Sequence, residues 1–245
     1  MNRPTSENLW ASLFYGIIIE TNLKTEVSRF MDLDFRKIVE LLGIDAPVHF
    51  TPKSQLNKRD YVFCRFMGNE ERAAIIAGTH TLNGNYDTSD IGLHFPDIEI
   101  EEYYELESNR NPFAINSHIG EISNQMIVYQ IEIPLLFALH CILHEYGHWI
   151  YFLSTGMSSY DYCEEEKKVR QPYEKMADDI YKMPDWSPYK RMAAKQYEEE
   201  IYSQFPSEKS ANQYAAEHIL EAVTKIRNFL GYSEQDLLNQ MLTDV

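Results

Sequence analysis

The segment Pro134–Leu153 reads PLLFALHCILHEYGHWIYFL and is apolar almost throughout, apart from three histidines and one glutamate. Proline is well placed in the first turn of a helix, and Gly156 follows soon after the apolar run ends. The segment therefore predicts a long buried helix. Because buried ionisable side chains are costly unless they are paired or bind a metal ion, its polar residues are the first candidates for function.

The polar residues of this helix form the pattern His144-Glu145-Tyr146-Gly147-His148. Side chains four residues apart project from one face of a helix, at the separation that two ligands of one zinc ion require. Glu145 is rotated by about 100° around the helix axis from His144. It can therefore lie beside the ion and take a proton from a water whose pKa zinc lowers to about 7. The pattern indicates zinc-dependent peptide hydrolysis.

A catalytic zinc ion needs a third protein ligand and an open fourth position. A third histidine at the metzincin spacing would fall at Ser154, which excludes that class. We expect Glu174, on a following helix, to be the third ligand. Asp178, on the same helix face, is then expected to accept a hydrogen bond from the far nitrogen of a ligand histidine. The alternative ligands are three glutamates in a charged run that we expect to be solvated: Glu164, Glu165 and Glu166.

The zinc-helix pattern, followed by Glu174-x-x-Ala177-Asp178, resembles the gluzincin group of zinc peptidases. Within that group it is most similar to the compact IrrE/ImmA-like and phage-associated branch. The resemblance implies that His144, His148 and Glu174 bind zinc and that the glutamate between the two histidines is catalytic.

The resemblance covers about residues 120–185. In this branch a strand beside the zinc helix binds the substrate backbone by strand addition, and Met126 to Ile131 is the matching segment. The sequence has no obvious flanking DNA-binding helix-turn-helix, so the resemblance does not imply a regulatory role on DNA.

Further polar residues are candidates for supporting roles. His140 lies one turn before His144, and we expect it to be a buried or supporting histidine, since three ligands on consecutive turns would be an unusual zinc geometry. Zinc peptidases also need a donor for the developing oxyanion. The spacing selects none of five candidates: His118, His218, Tyr129, Tyr146 and Tyr151.

The order of predicted elements is helices, then a sheet, then helices, which indicates a single α+β domain over residues 1–245. We expect a zincin-like fold, in which a small sheet packs on the zinc-binding helix and additional helices follow. The expected regions are N-terminal helices at 6–42, a sheet region at 47–132, zinc helices at 134–183 and C-terminal helices at 189–242. The expected strands are 48–50, 61–66, 91–95 and 126–131, with a polar loop at 99–116 and a polar connector at 158–170.

Composition limits the partners. The 245 residues include 22 Lys and Arg against 38 Asp and Glu, a formal net charge of −16. This balance disfavours binding to nucleic acid or to anionic lipid. Three separated cysteines fit neither a disulfide framework nor a thiolate metal site, which favours a reducing, cytoplasmic compartment. We expect the apolar run from Leu9 to Ile19 to be a packed amphipathic helix rather than an export signal.

The sequence thus favours a zinc metallopeptidase that acts on a protein or peptide substrate, with Zn²⁺ as its cofactor. The alternative is a domain that binds zinc but serves as a protein-interaction module without cleaving. A metal-free helical protein, with hydrogen-bonded core histidines, is the third hypothesis.

Overall fold

A computed structural model describes residues 33–56, 62–110, 132–181 and 201–231, together with 115, 119, 120, 122, 123 and 197; for 176–181 it describes the backbone alone. The described helices are α1 (Phe35–Leu42), α2 (Asn69–Ile76), α3 (Ile100–Arg110), α4 (Ile133–Thr155), α5 (Ser159–Tyr181) and α6 (Pro206–Leu230). The strands are β1 (Val48–Pro52), β2 (Phe63–Arg65) and β3 (Gly92–Asp97), and a short 3-10 turn follows β1 at Lys53–Gln55. The predicted α+β class is confirmed.

The sheet has three strands in the order β1-β3-β2. The central strand β3 pairs parallel with β1 and antiparallel with β2, with Cys64 opposite Leu93. Five of the six residues of β3 are buried, whereas β1 and β2 are only half-buried. Three predicted strands are therefore confirmed in position, and β2 lies at an edge of the described sheet.

Helix α4 lies at the centre of the fold. It packs against α6 along much of its length and also contacts α3, β2 and β3. Its apolar side chains are buried on nearly all sides, as expected for a helix that is hydrophobic all round. The helix ends at Gly156, whose left-handed φ of 63° closes the last turn. The predicted buried helix is confirmed in both position and length.

Two segments that we expected to be polar loops are helices. Residues 100–110 form α3, which buries Ile100 and Tyr103 and carries Glu101 and Glu102 in its first turn, where the helix dipole favours negative charge. The predicted connector at 158–170 is the first half of α5, which continues through Pro172. Its charged run is held in helical form by ion pairs at spacings of three and four residues: Glu164–Lys167, Glu165–Lys168 and Glu166–Arg170. Helix α2 was likewise not expected within the sheet region.

Several predicted elements fall outside the described residues. These are the helix at 6–20, the first part of the helix at 24–42, the strand at 126–131 and the helix at 233–242, together with most of the helix at 189–204. The end of the second helix at Gly43 and the helix at 209–230 are confirmed. Among the helices that the structure describes, α4 included, none has the length and apolarity needed to cross a membrane.

A buried ion pair joins the start of α4 to the end of α6. Arg227 donates to both carboxylate oxygens of Glu132, with Nε and Nη2 each 2.8 Å from their acceptor. Glu132 is only 1% exposed. Because a buried carboxylate is costly without its partner, this bidentate pair fixes how the two helices align at this end.

We predict that Glu132→Gln lowers the free energy of unfolding by about 3 kcal/mol, since it leaves the guanidinium of Arg227 without its charged partner. Urea denaturation measures the change. Asp97→Asn is the matched control, because the Arg36–Asp97 pair is exposed to solvent and should contribute less than about 1 kcal/mol. Equal losses in the two variants would contradict the role of the buried pair.

Candidate metal site

The two histidines of the zinc-helix pattern face one another across a single turn of α4. Nε2 of His144 lies 3.1 Å from Nε2 of His148, and the two rings are nearly perpendicular, with centroids 4.7 Å apart. His148 is 7% exposed, and His144 is somewhat more accessible. The i, i+4 spacing has therefore brought two imidazole nitrogens to one point on the buried face of the helix, as the sequence predicts.

The third group at this point is the carboxylate of Glu208, in the first turn of α6. Its Oε2 lies 3.5 Å from Nε2 of His144 and 3.4 Å from Nε2 of His148. Glu208 is 3% exposed. The three residues form a group whose ligand atoms all lie within 4.8 Å of one another. They are a buried His-His-Glu triad of the zincin kind, with the histidines on one helix and the glutamate on a distant one.

Close packing of α4 on α6 brings Glu208 to the histidines. A Cβ placed on Gly147 would lie 2.8 Å from Cα of Ala211 and 2.9 Å from Cβ of Tyr214. Gly147 therefore lets the two helix backbones approach more closely than any other residue would allow at this position. Since Gly147 lies beside His148, and Ala211 lies one turn after Glu208, this contact sets the spacing of the triad.

Asn212, one turn after Glu208 on α6, supports the first histidine. Its Oδ1 lies 2.9 Å from Nδ1 of His144. An N–H donated from Nδ1 to this oxygen leaves Nε2 of the neutral imidazole with a free lone pair, aimed into the triad. Helix α6 thus contributes both a carboxylate and the group that fixes the tautomer of a histidine.

The electrostatics of the site keep Glu208 ionised. Burial alone would raise the pKa of Glu208, but the neighbouring imidazoles of His144 and His148 and the hydroxyl of Tyr202 outweigh it and hold the pKa well below its usual range. Arg170 adds a charged hydrogen bond, with Nη2 lying 2.8 Å from Oε1 of the same carboxylate. An ionised carboxylate is the form that binds a metal ion.

Glu145 lies beside the triad and outside it. Burial raises the pKa of its carboxyl, while the neighbouring His148 and His144 oppose the rise. The backbone of Cys64 in strand β2 also opposes the rise in the pKa of Glu145. A carboxyl with a raised pKa next to a metal site can accept and return a proton.

The expected third ligand Glu174 is not at the site and requires a correction. It lies on α5 with an exposed side chain, between Tyr173 and Lys175, which are exposed as well. The carboxylate beside the histidines is Glu208, because α6 packs on α4 and carries Glu208 in its first turn. The side chain of Asp178 lies outside the described residues, and the supporting role expected of it is filled by Asn212.

The structure also shows the contacts of the three alternative glutamates and of His140. Glu164 and Glu165 pair with lysines of their own helix. Glu166 accepts hydrogen bonds from Arg170 and Ser207. His140 is buried and stacks on His144 at a centroid distance of 6.1 Å, and it does not belong to the triad.

The structure selects no oxyanion donor. His118 and Tyr129 lie outside the described residues. His218 stacks on Tyr214, which also packs edge-on against Tyr146. Tyr151 packs edge-on against Tyr162.

The three cysteines are free thiols. Burial raises the pKa of Cys141 to about 12 and that of Cys163 to about 11, and it raises the pKa of Cys64 further still. All three are therefore protonated near neutral pH.

No protein-family model, curated protein or solved structure matches this chain. The assignment of the site therefore depends on its own donor set. Two imidazole nitrogens and one ionised carboxylate oxygen, all directed to one point, suit a divalent transition metal ion. Within the described residues this is the one group of its kind.

We predict that Gly147→Ala destabilises the fold by about 1–3 kcal/mol, because the new methyl group forces α4 and α6 apart. Urea denaturation measures the loss. Gly120→Ala is the matched control, since a Cβ at Gly120 meets no atom within 4 Å and should be neutral or slightly stabilising. A fully stable Gly147→Ala variant would show that the helix contact does not constrain the site.

Proposed function

We propose that this protein is a zinc-dependent peptidase of the gluzincin type, in which His144, His148 and Glu208 bind the metal ion and Glu145 is the catalytic base. The observation that carries the proposal is the convergence of Nε2, Nε2 and Oε2 at separations of 3.1, 3.4 and 3.5 Å. A carboxylate from a separate helix as third ligand is the arrangement that distinguishes gluzincins from metzincins, and Ser154 stands at the metzincin position.

The size of the triangle supports zinc as the metal. Nitrogen and oxygen ligands at 2.0–2.1 Å from a tetrahedral zinc ion lie roughly 3.3 Å from one another. The three separations in the triad bracket this value. Two histidines and one glutamate are also the ligand set of a known class of catalytic zinc sites, which keep the fourth position for water or substrate.

The residues of the chain divide the work of peptide hydrolysis. A bound zinc ion would lower the pKa of a water molecule and polarise the scissile carbonyl. Glu145 accepts the proton of the attacking water and then donates it to the leaving amine nitrogen. Its position in the sequence between the two histidines suits both steps. Asn212 holds His144 in the tautomer that offers Nε2.

Strand β2 is the segment against which we place the substrate. It is an edge strand of the described sheet, and it packs against α4, the helix that carries Glu145. An extended peptide that pairs with such an edge gains backbone hydrogen bonds and passes beside the catalytic carboxyl. The expected substrate strand at 126–131 lies outside the described residues, so its part in binding stays a prediction.

We predict that purified protein contains about one zinc ion per chain and that Glu208→Gln weakens zinc affinity by more than about 100-fold, since loss of a ligand should exceed the cost of losing a supporting group. Glu174→Gln is the matched control and should bind zinc normally, because its side chain is exposed on α5. Competition with a chromogenic chelator measures both affinities. Loss of zinc in the control with retention in Glu208→Gln would reverse the assignment.

We predict that Glu145→Gln keeps zinc but lowers the rate of peptide cleavage by roughly 100- to 10,000-fold, because the neutral amide cannot accept a proton. Cleavage of a broad peptide library, followed by mass spectrometry, measures the rate, and metal analysis confirms loading. Wild-type protein that binds zinc and peptides but cleaves none would contradict the peptidase and favour the interaction module.

A further inference from the structure

A single guanidinium group connects α5 to the triad. Arg170 donates from Nη2 to Oε1 of Glu208 at 2.8 Å, from Nη1 to the hydroxyl of Tyr202 at 3.0 Å and from Nε to Oε2 of Glu166 at 3.1 Å. Nη2 also lies 3.4 Å from Oγ of Ser207. Each of its three nitrogens therefore has an oxygen partner, and two of these partners are carboxylates.

Arg170 is itself held in place. Glu166 lies one turn earlier on the same helix and also accepts a hydrogen bond of 2.8 Å from Ser207. The guanidinium carbon lies 5.1 Å from the ring centroid of Tyr202 and 5.5 Å from that of Phe205. A planar guanidinium group that is hydrogen-bonded along its edge and packed on aromatic rings has little freedom to rotate.

The two oxygens of Glu208 consequently face different partners. Oε1 is bonded to Arg170, and Oε2 is the atom near His144 and His148. A charged hydrogen bond to the first oxygen of a carboxylate holds that oxygen towards its donor and favours binding of a metal ion through the second oxygen. One-oxygen binding leaves more of the coordination sphere for water and substrate than two-oxygen binding does.

We propose that Arg170 is a positioning residue that selects Oε2 of Glu208 as the metal ligand and keeps the carboxylate from binding through both oxygens. The proposal rests on the metal site proposed above. It goes further because it assigns a role to Arg170 of α5, which lies outside the triad, and defines how the glutamate ligand binds.

A purely structural brace between α5 and α6 is the competing explanation. The chain offers a matched control, because Arg227 forms a comparable pair with Glu132 at the opposite end of α6. Arg227→Met removes a paired arginine from the contact between α4 and α6 without touching the triad. Lower stability alone should therefore change zinc affinity alike in the Arg170 and Arg227 variants. Loss of a positioning role should change zinc affinity only in the Arg170 variants.

The experiment measures three properties of wild type, Arg170→Met, Arg170→Lys and Arg227→Met. These are zinc affinity by chelator competition, the visible absorption spectrum with Co²⁺ in place of zinc, and stability in urea. We expect both Arg170 variants to lose roughly 10- to 100-fold in zinc affinity and to show a changed Co²⁺ spectrum, because Glu208 can then bind through both oxygens. Lysine retains charge without the fork, so Arg170→Lys tests positioning even if the methionine variant does not fold.

Arg227→Met should lose stability but keep the wild-type zinc affinity and spectrum. A wild-type affinity and spectrum in Arg170→Lys, or an equal loss of affinity in Arg227→Met, would overturn the positioning role while leaving the metal site intact. Wild-type protein that binds neither zinc nor Co²⁺ would instead overturn the metal site, and the positioning role with it.

Discussion

The site depends on the backbone approach of α4 to α6 at Gly147. A triad of this kind cannot be built on one helix, because its third ligand must come from a chain segment that reaches the same buried point. With Ala211 directly against Gly147, the first turn of α6 lies beside the histidines, and Glu208 meets them. Gly147, which lies between the two histidines in the sequence, thus determines whether Glu208 on the distant helix α6 can reach them.

The features that the sequence predicted correctly are those that depend on residues close together in the chain. The spacing of His144 and His148 defines a helix face whatever the rest of the chain does, and the apolar flanks place that face in the core. Strands β1, β2 and β3 were identified by short β-prone runs between turn residues. The charged segment Glu164–Arg170 was predicted as a loop, because polarity alone does not distinguish an exposed helix from a loop. Ion pairs at spacings of three and four residues favour the helix here.

The third member of the triad was missed because two helices carry a similar pattern. Glu174 and Glu208 each precede, by three residues, an alanine that could allow helix contact, and by four residues a polar side chain. The difference lies in what surrounds them. Glu208 continues the buried stripe of α6, with Ala211, Ala215 and Ile219, whereas Glu174 and its neighbours on either side are exposed. A lone acid on an apolar stripe was the available signal, since buried charge is rare without a partner.

The charge of the buried cluster gives an independent argument for a cation. Two carboxylates, from Glu166 and Glu208, contact the guanidinium of Arg170, and Glu145 adds a third acid beside the triad, so the group carries −2 when Glu145 is ionised and both histidines are neutral. Two imidazolium groups would also balance it, but both Nε2 atoms would then bear hydrogens and oppose each other at 3.1 Å. A divalent metal ion supplies the same charge and binds the lone pairs of both Nε2 atoms. It therefore balances the charge of this cluster with less repulsion than two imidazolium groups would.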